Sequence, residues 1–115
     1  MTVPPFNDIR CSGDRASCTL ILGPDHDAFS GHFPEMPVLP GVIQIDWAMQ
    51  LAARCFALRE PVARAFQVKF MGIIQPGADL HLTLALDRTA RRLSFEYRKD
   101  ERVMSSGRVM IEPPP

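Results

Sequence analysis

The sequence predicts an α+β domain in which one long helix packs on an antiparallel sheet. Three observations predict it. Residues 42–59 are apolar on nearly every side until Arg54, as in a helix enclosed by its own fold. After Glu60-Pro61 the apolar period changes from 3.6 to 2 and stays there to residue 111. Between the period-2 segments stand turn residues, including Gln75-Pro76-Gly77-Ala78 and Lys99-Asp100-Glu101.

Taken in order, residues 1–15 carry Pro, Asn, Asp and Gly with little pattern, and weak order is the expectation there. Ala16 to Leu22 is apolar and β-branched enough for a first strand, which Gly23-Pro24-Asp25 breaks. The helix follows a loop at 29–41 and closes at Glu60-Pro61, because the residue before a proline avoids helical backbone angles. Val62, Phe66, Val68 and Phe70 share one face of the next strand. Gln75-Pro76-Gly77-Ala78 suits a type II turn, with Pro second and Gly third. Leu80, Leu82, Leu84 and Leu86 alternate with His81, Thr83 and Ala85, and Leu93, Phe95 and Tyr97 with Ser94, Glu96 and Arg98. Arg102 to Ile111 is the last strand, with Gly107 as a bulge candidate. Residues 112–115, ending in three prolines, are expected to be weakly ordered. The expectation is one domain over 1–115, with one strand before the helix and four after it.

The totals exclude several classes. At 115 residues the chain makes a modest core, and 13 basic residues balance 13 acidic ones, so neither a nucleic acid nor a membrane surface is the expected partner. No apolar run approaches the ~20 residues that span a bilayer, and the N-terminus does not read as a signal peptide, so a cytoplasmic location is expected. Cys11, Cys18 and Cys55 are an odd number without C-x-x-C spacing and read as reduced thiols, Cys55 as a small hydrophobe. No metal site and no cofactor is expected.

Chemistry concentrates in Ser30-Gly31-His32-Phe33-Pro34-Glu35-Met36-Pro37-Val38-Leu39-Pro40-Gly41-Val42-Ile43-Gln44-Ile45-Asp46-Trp47. Prolines at 34, 37 and 40 fix φ and stiffen the loop that presents His32. Pro40 can open a helix, and Gly41 lets a ligand approach the first free amides. Asp46 falls inside the helix, where a carboxylate is costly unless paired or neutral.

Gly-His-Phe-Pro, then Pro, then Pro-Gly-Val, with an acid fourteen positions after the histidine, resembles the β-hydroxyacyl-acyl-carrier-protein dehydratases of fatty-acid synthesis. The likeness is dense over residues 28–50 and weaker over Val68-Lys69-Phe70 and Pro76-Gly77-Ala78-Asp79-Leu80. Pro-Gly-Val-Ile-Gln-Ile-Asp-Trp-Ala is also similar to the small dehydratase-like proteins of aryl-polyene pathways. The resemblance implies the hot-dog fold, a long helix wrapped by an antiparallel sheet. It implies removal of water from (3R)-3-hydroxyacyl thioesters, carried on the phosphopantetheine arm of acyl carrier protein, to give trans-2-enoyl thioesters. It casts His32 as base, Asp46 as partner acid and the Gly41 amide as donor to the thioester carbonyl, with Val42 and Gln44 beside it in substrate binding. Gln44 orients a water, binds the pantetheine arm or faces solvent. Phe33, Met36, Leu39, Trp47, Met49 and Phe70 are core or acyl-tunnel lining. A homodimer or higher oligomer is implied, each site taking its histidine from one chain and its acid from the other.

Two features depart from the commonest pattern. Many members carry glutamate where this chain has Asp46, while a branch that also isomerises double bonds carries aspartate. To act as an acid Asp46 must hold a proton, which burial favours and the helix N-terminus opposes. His26 and His81 read as surface residues, and Arg54, Arg59, Arg64 and Lys69 as a solvated face or a docking face for an acidic carrier. Two other readings stay open: a thioesterase on the same fold, and a non-catalytic acyl-thioester or carrier-protein binding module.

Overall fold

Period-2 apolar runs need a layer to bury against, and the long helix supplies it. The computed structural model describes residues 4–23, 26, 38–57 and 63–111, with backbone alone for 63–66. Its elements are β1 (Phe6–Ser12), β2 (Arg15–Ile21), α1 (Gly41–Phe56), β3 (Ala63–Phe70), β4 (Asp79–Asp87), β5 (Arg92–Lys99) and β6 (Arg102–Ile111). The strands form one antiparallel sheet in the order β1-β2-β4-β5-β6-β3, leaving β1 and β3 as its edges.

The inner face of the sheet is built in cross-strand rows. Cys18, Leu82, Tyr97, Ser105 and Phe70 stand opposite one another through successive pairings, and Ala16, Leu84, Phe95, Gly107 and Val68 form the next row. Against these rows α1 turns Gln44, Trp47, Ala48, Leu51, Ala52 and Phe56, an apolar stripe at helical spacing with one polar residue at its head. Gly107 is no bulge: a Cβ there would sit 2.5 Å from the Phe95 ring, so glycine is what lets that ring lie across β6. The bulge falls at Met104, where Tyr97 pairs with Ser105 but Arg98 pairs with Val103. It leaves Met104 and Ser105 both buried and lets the Met104 carbonyl accept from the Met71 and Gly72 amides.

Four further sequence expectations change. Residues 6–12, expected to be weakly ordered, form β1. It is an exposed edge strand with a register break between Asn7 and Arg10 and with Asp8 at φ 50°, so it has no period-2 pattern to read. The helix stops at Phe56, before residue 59, through Ala57 in the left-handed conformation. The helix is not enclosed all round: one sheet covers one side, and Val42, Asp46 and Arg54 stay exposed. Cys11 and Cys55 are not reduced thiols but a disulfide, tying β1 to the last turn of α1 across 44 residues of chain. Pairing follows spatial proximity, which β1 creates and sequence spacing does not show. Gly77 does take the left-handed φ of 83° that a type II turn requires, and the turn is stitched to the end of β2 by Gly77 N–H to the Leu22 carbonyl at 2.8 Å. Residues 112–115 lie outside the described residues.

Closing a 44-residue loop stabilises the fold by about 4 kcal/mol on a chain-entropy account. Cys18 is buried, and burial pushes its thiol up to about 12, so it stays protonated and unreactive at pH 8. The native protein is therefore expected to show no alkylation at pH 8 without reductant. Cys11→Ser and Cys55→Ser should each melt as low as the reduced parent. Equal melting of oxidised and reduced parent would show that the bond carries no stability.

Candidate active site

The start of α1 is the candidate site, and its geometry follows from what Pro40 lacks. Pro40 is the N-cap, at φ −62° and ψ 145°, and it has no side chain that can bond the first amides. Its carbonyl accepts from Ile43 and Gln44, both at 3.1 Å. The Gly41 and Val42 amides, at the positive end of the helix, have no acceptor among the described residues. They are donors available to an anionic oxygen.

What surrounds them is apolar and open. Val42 is 72 % exposed and Phe70 56 %, with Met71 and Ile73 exposed beyond. The Phe70 ring lies on Gly41 so closely that a Cβ at 41 would come within 2.4 Å of it. Asp46, one turn beyond Val42, shares its exposed stripe, and Asp46 Oδ2 accepts from Gln50 Nε2 at 2.8 Å. The carboxylate expected inside a buried helix is thus at the surface of a single chain. Val42 and Asp46 share the exposed stripe of the helix, and the Phe70 ring meets the helix start at Gly41.

The other expected site residues divide. His32, Phe33 and Met36 lie outside the described residues. Leu39, Trp47 and Met49 are buried in the core. The Trp47 ring meets His26 edge-on at 5.6 Å, and its Nε1 has no partner among the described residues. Gln44 does not face solvent. It is 3 % exposed, and its side chain is bonded at both ends: Nε2 donates to the Leu39 carbonyl at 3.0 Å, and Oε1 accepts from Ser105 Oγ at 2.6 Å. The Tyr97 hydroxyl donates to the Gln44 backbone carbonyl at 2.7 Å. Burial above all, then the charges of Cys18 and Asp46, holds the Tyr97 phenol well above its ordinary range, so it remains a donor. Neither Ser105 nor Tyr97 was singled out from the sequence. The available signal was the broken alternation of Met104-Ser105-Ser106 beside a lone polar residue in an apolar helix stripe. Among the described residues no cluster of His, Cys, Asp or Glu could hold a metal ion.

Fold and site together define a hot-dog protein with a bare helix start opening onto an apolar surface. Residues 8–108 match the ApeI-like family model, described as ApeI dehydratase, and the chain belongs to that family. A solved structure, the dehydratase heterocomplex ApeI:P from Xenorhabdus doucetiae, superposes at a TM-score of 0.88 with 34 % identity, over 96 % of this chain and 99 % of that one. An uncharacterised protein from Erwinia carotovora subsp. atroseptica superposes at 0.81 with 30 % identity, over 96 % and 97 %. Among curated proteins, the 3-hydroxyacyl-[acyl-carrier-protein] dehydratase FabZ of Rickettsia massiliae is 37 % identical over 68 residues, 52 % of this chain and 47 % of that protein. The FabZ of Herpetosiphon aurantiacus is 34 % identical over 94 residues, 72 % of this chain and 66 % of that protein. The chain thus spans about half to two thirds of the length of these curated relatives. Mouse thioesterase superfamily member 2, at 11 % identity and a TM-score of 0.71, shares the fold alone.

The contact between Gly41 and Phe70 is testable by unfolding. Gly41→Ala should cost about 1 kcal/mol in the parent, as mild overpacking against an exposed ring. In a Phe70→Ala background the same change should be neutral or slightly stabilising, since alanine is the better helix former. Equal costs in both backgrounds, measured in urea, would place the strain elsewhere.

Proposed function

We propose that the protein removes water from 3-hydroxyacyl thioesters to give trans-2-enoyl thioesters. The observation that carries this reading is the helix start: two amides without acceptors among the described residues, an exposed Phe70 ring on Gly41, and a carboxylate one turn beyond Val42. Family membership and the Gly-His-Phe-Pro stretch at 31–34 support it.

The chemistry divides among these groups. His32 takes the proton from C2, the role a neutral imidazole suits. The electron pair moves toward the thioester carbonyl, whose oxygen gains charge beside the Gly41 amide and helix dipole, with Val42 alongside. The pair then forms the C2–C3 double bond, the C3–O bond breaks, and Asp46 delivers a proton so that hydroxide leaves as water. Met36 and Phe33 line the acyl path with Phe70, while Leu39, Trp47 and Met49 back it from the core. No metal or cofactor enters these steps.

The substrate arrives on a phosphopantetheine arm. The FabZ relatives are named for acyl-carrier-protein substrates, and the same carrier is assigned here. A second copy of the chain supports the site. Val42, Phe70 and Ile73 are apolar and exposed at the helix start, and β3 is an open sheet edge beside them. A homodimer covers both, encloses Asp46, and lets His32 of one chain face Asp46 of the other. The Xenorhabdus structure is a heterocomplex, so a dimer with a related hot-dog chain is the alternative that native mass spectrometry separates. The protein is assigned to the cytoplasm, where the Cys11–Cys55 bond is unusual.

The test is turnover of a 3-hydroxyacyl carrier-protein thioester beside a plain acyl thioester. A conjugated enoyl product is expected from the first, and no free thiol from either. His32→Ala and Asp46→Asn should each lower kcat by at least about 100-fold with the fold intact. Release of free thiol would make the protein a thioesterase, and binding without turnover would make it an acyl-thioester module.

A further inference from the structure

We propose that Gln44 is a positioning residue: with Ser105 and Tyr97 it sets the place and angle of the helix start, and so of the donors at Gly41 and Val42. The proposal deepens the dehydratase reading and rests on it for its kinetic consequence alone.

The argument begins with the missing cap. A serine, threonine or aspartate at position 40 would fix the first turn by bonding the Val42 or Ile43 amide, and at Val42 would occupy a donor open to a substrate oxygen. Pro40 cannot do this. The first turn must therefore be held through other atoms. Gln44 uses its carbonyl, its side-chain oxygen and its side-chain nitrogen, and leaves the Gly41 and Val42 amides free.

Each arm reaches a different part of the fold. Ser105 Oγ and the Tyr97 hydroxyl come from neighbouring strands and stand opposite each other in one cross-strand row. Both are fully buried, so Gln44 is held from the sheet by two rigid donors. The third arm runs to Leu39, five residues back, ahead of Pro40. Leu39 is gripped from the other side as well, since its amide donates to the Ile74 carbonyl at 2.8 Å. The chain entering α1 is thus pinned between the 71–78 segment and the sheet. Leu39 lies seven residues after His32, so the same brace fixes the exit of the segment that carries the histidine.

The same row explains why the brace and the site coincide. Phe70 pairs with Ser105 across β3 and β6, and its ring lies on Gly41. Sheet register therefore sets the apolar floor and the helix start from adjacent positions. The Met104 bulge is what brings Ser105 to the inner face, since an unbulged β6 would turn that residue outward.

Gln44→Leu removes both side-chain arms at similar volume, Gln44→Glu keeps the acceptor for Ser105 and removes the donor to Leu39, and Ser105→Thr keeps the hydroxyl that Ser105→Ala deletes. Two readouts are taken on the full chain. In hydrogen exchange, Gln44→Leu and Ser105→Ala should speed exchange of the Leu39, Ile43 and Gln44 amides at least tenfold while β4 and β5 keep parental protection. In kinetics on a 3-hydroxyacyl thioester, the same variants should lose about tenfold to 100-fold in kcat with KM within twofold, and Ser105→Thr should restore most of it. Leu86→Ala, a core change distant in sequence from the brace, serves as the stability control. Unchanged exchange at Leu39, Ile43 and Gln44, or a kcat loss in Leu86→Ala matching that in Gln44→Leu, overturns the proposal. If the parent turns over no thioester, the dehydratase reading fails while the exchange measurement still decides the brace. Should Gln44→Leu not fold, Gln44→Glu and Ser105→Ala carry the same two readouts.

Discussion

The register between β5 and β6 is the constraint on which the rest depends. One residue of slip would send Ser105 and Tyr97 to opposite faces, because side chains alternate with a period of two. The Met104 bulge absorbs that slip on β6, so Tyr97 and Ser105 face the helix side by side. From there the consequences run outward. Tyr97 and Ser105 hold Gln44, Gln44 holds Leu39, and the helix begins where its first two amides have no acceptor among the described residues. Burying three polar groups in an apolar stripe would be costly if any were left unbonded. Here each has its partner, so the polar cluster specifies one seating for the helix.

A second constraint is the ratio of layers. One helix on one sheet can bury only one side of itself, and the described residues offer no second layer. The bare side is not a generic polar helix face, for it carries Val42 beside Asp46 and adjoins Phe70. Function and incompleteness meet there. The surface that a partner would cover is the surface on which the donors and the acid stand.

Much of this was legible in the sequence, and the failures have physical causes. Strands β4 and β5 were plain because large apolar residues alternate with small or polar ones over their length. The helix start was plain because Pro40-Gly41 precedes a long run broken only by Gln44, Asp46 and Gln50 before Arg54, although its end was set by Ala57 in the left-handed conformation, which no residue type announced. The strand β1 left no pattern because it is an edge, exposed on most positions and bulged at Asp8. Asp46 was read as enclosed because its neighbours are apolar, yet composition does not say whether an apolar side faces its own sheet or another surface. The role of Gln44 was out of reach because its partners stand 53 and 61 residues away in the chain.

The Cys11–Cys55 link has a consequence beyond stability. It closes a covalent ring that contains β2, the segment with His32, and the whole of α1 up to Cys55, Asp46 included. A single backbone cut anywhere inside that ring yields two pieces that stay joined through sulfur. Both groups cast for proton transfer therefore remain on one molecule after nicking, whichever bond a protease opens between them.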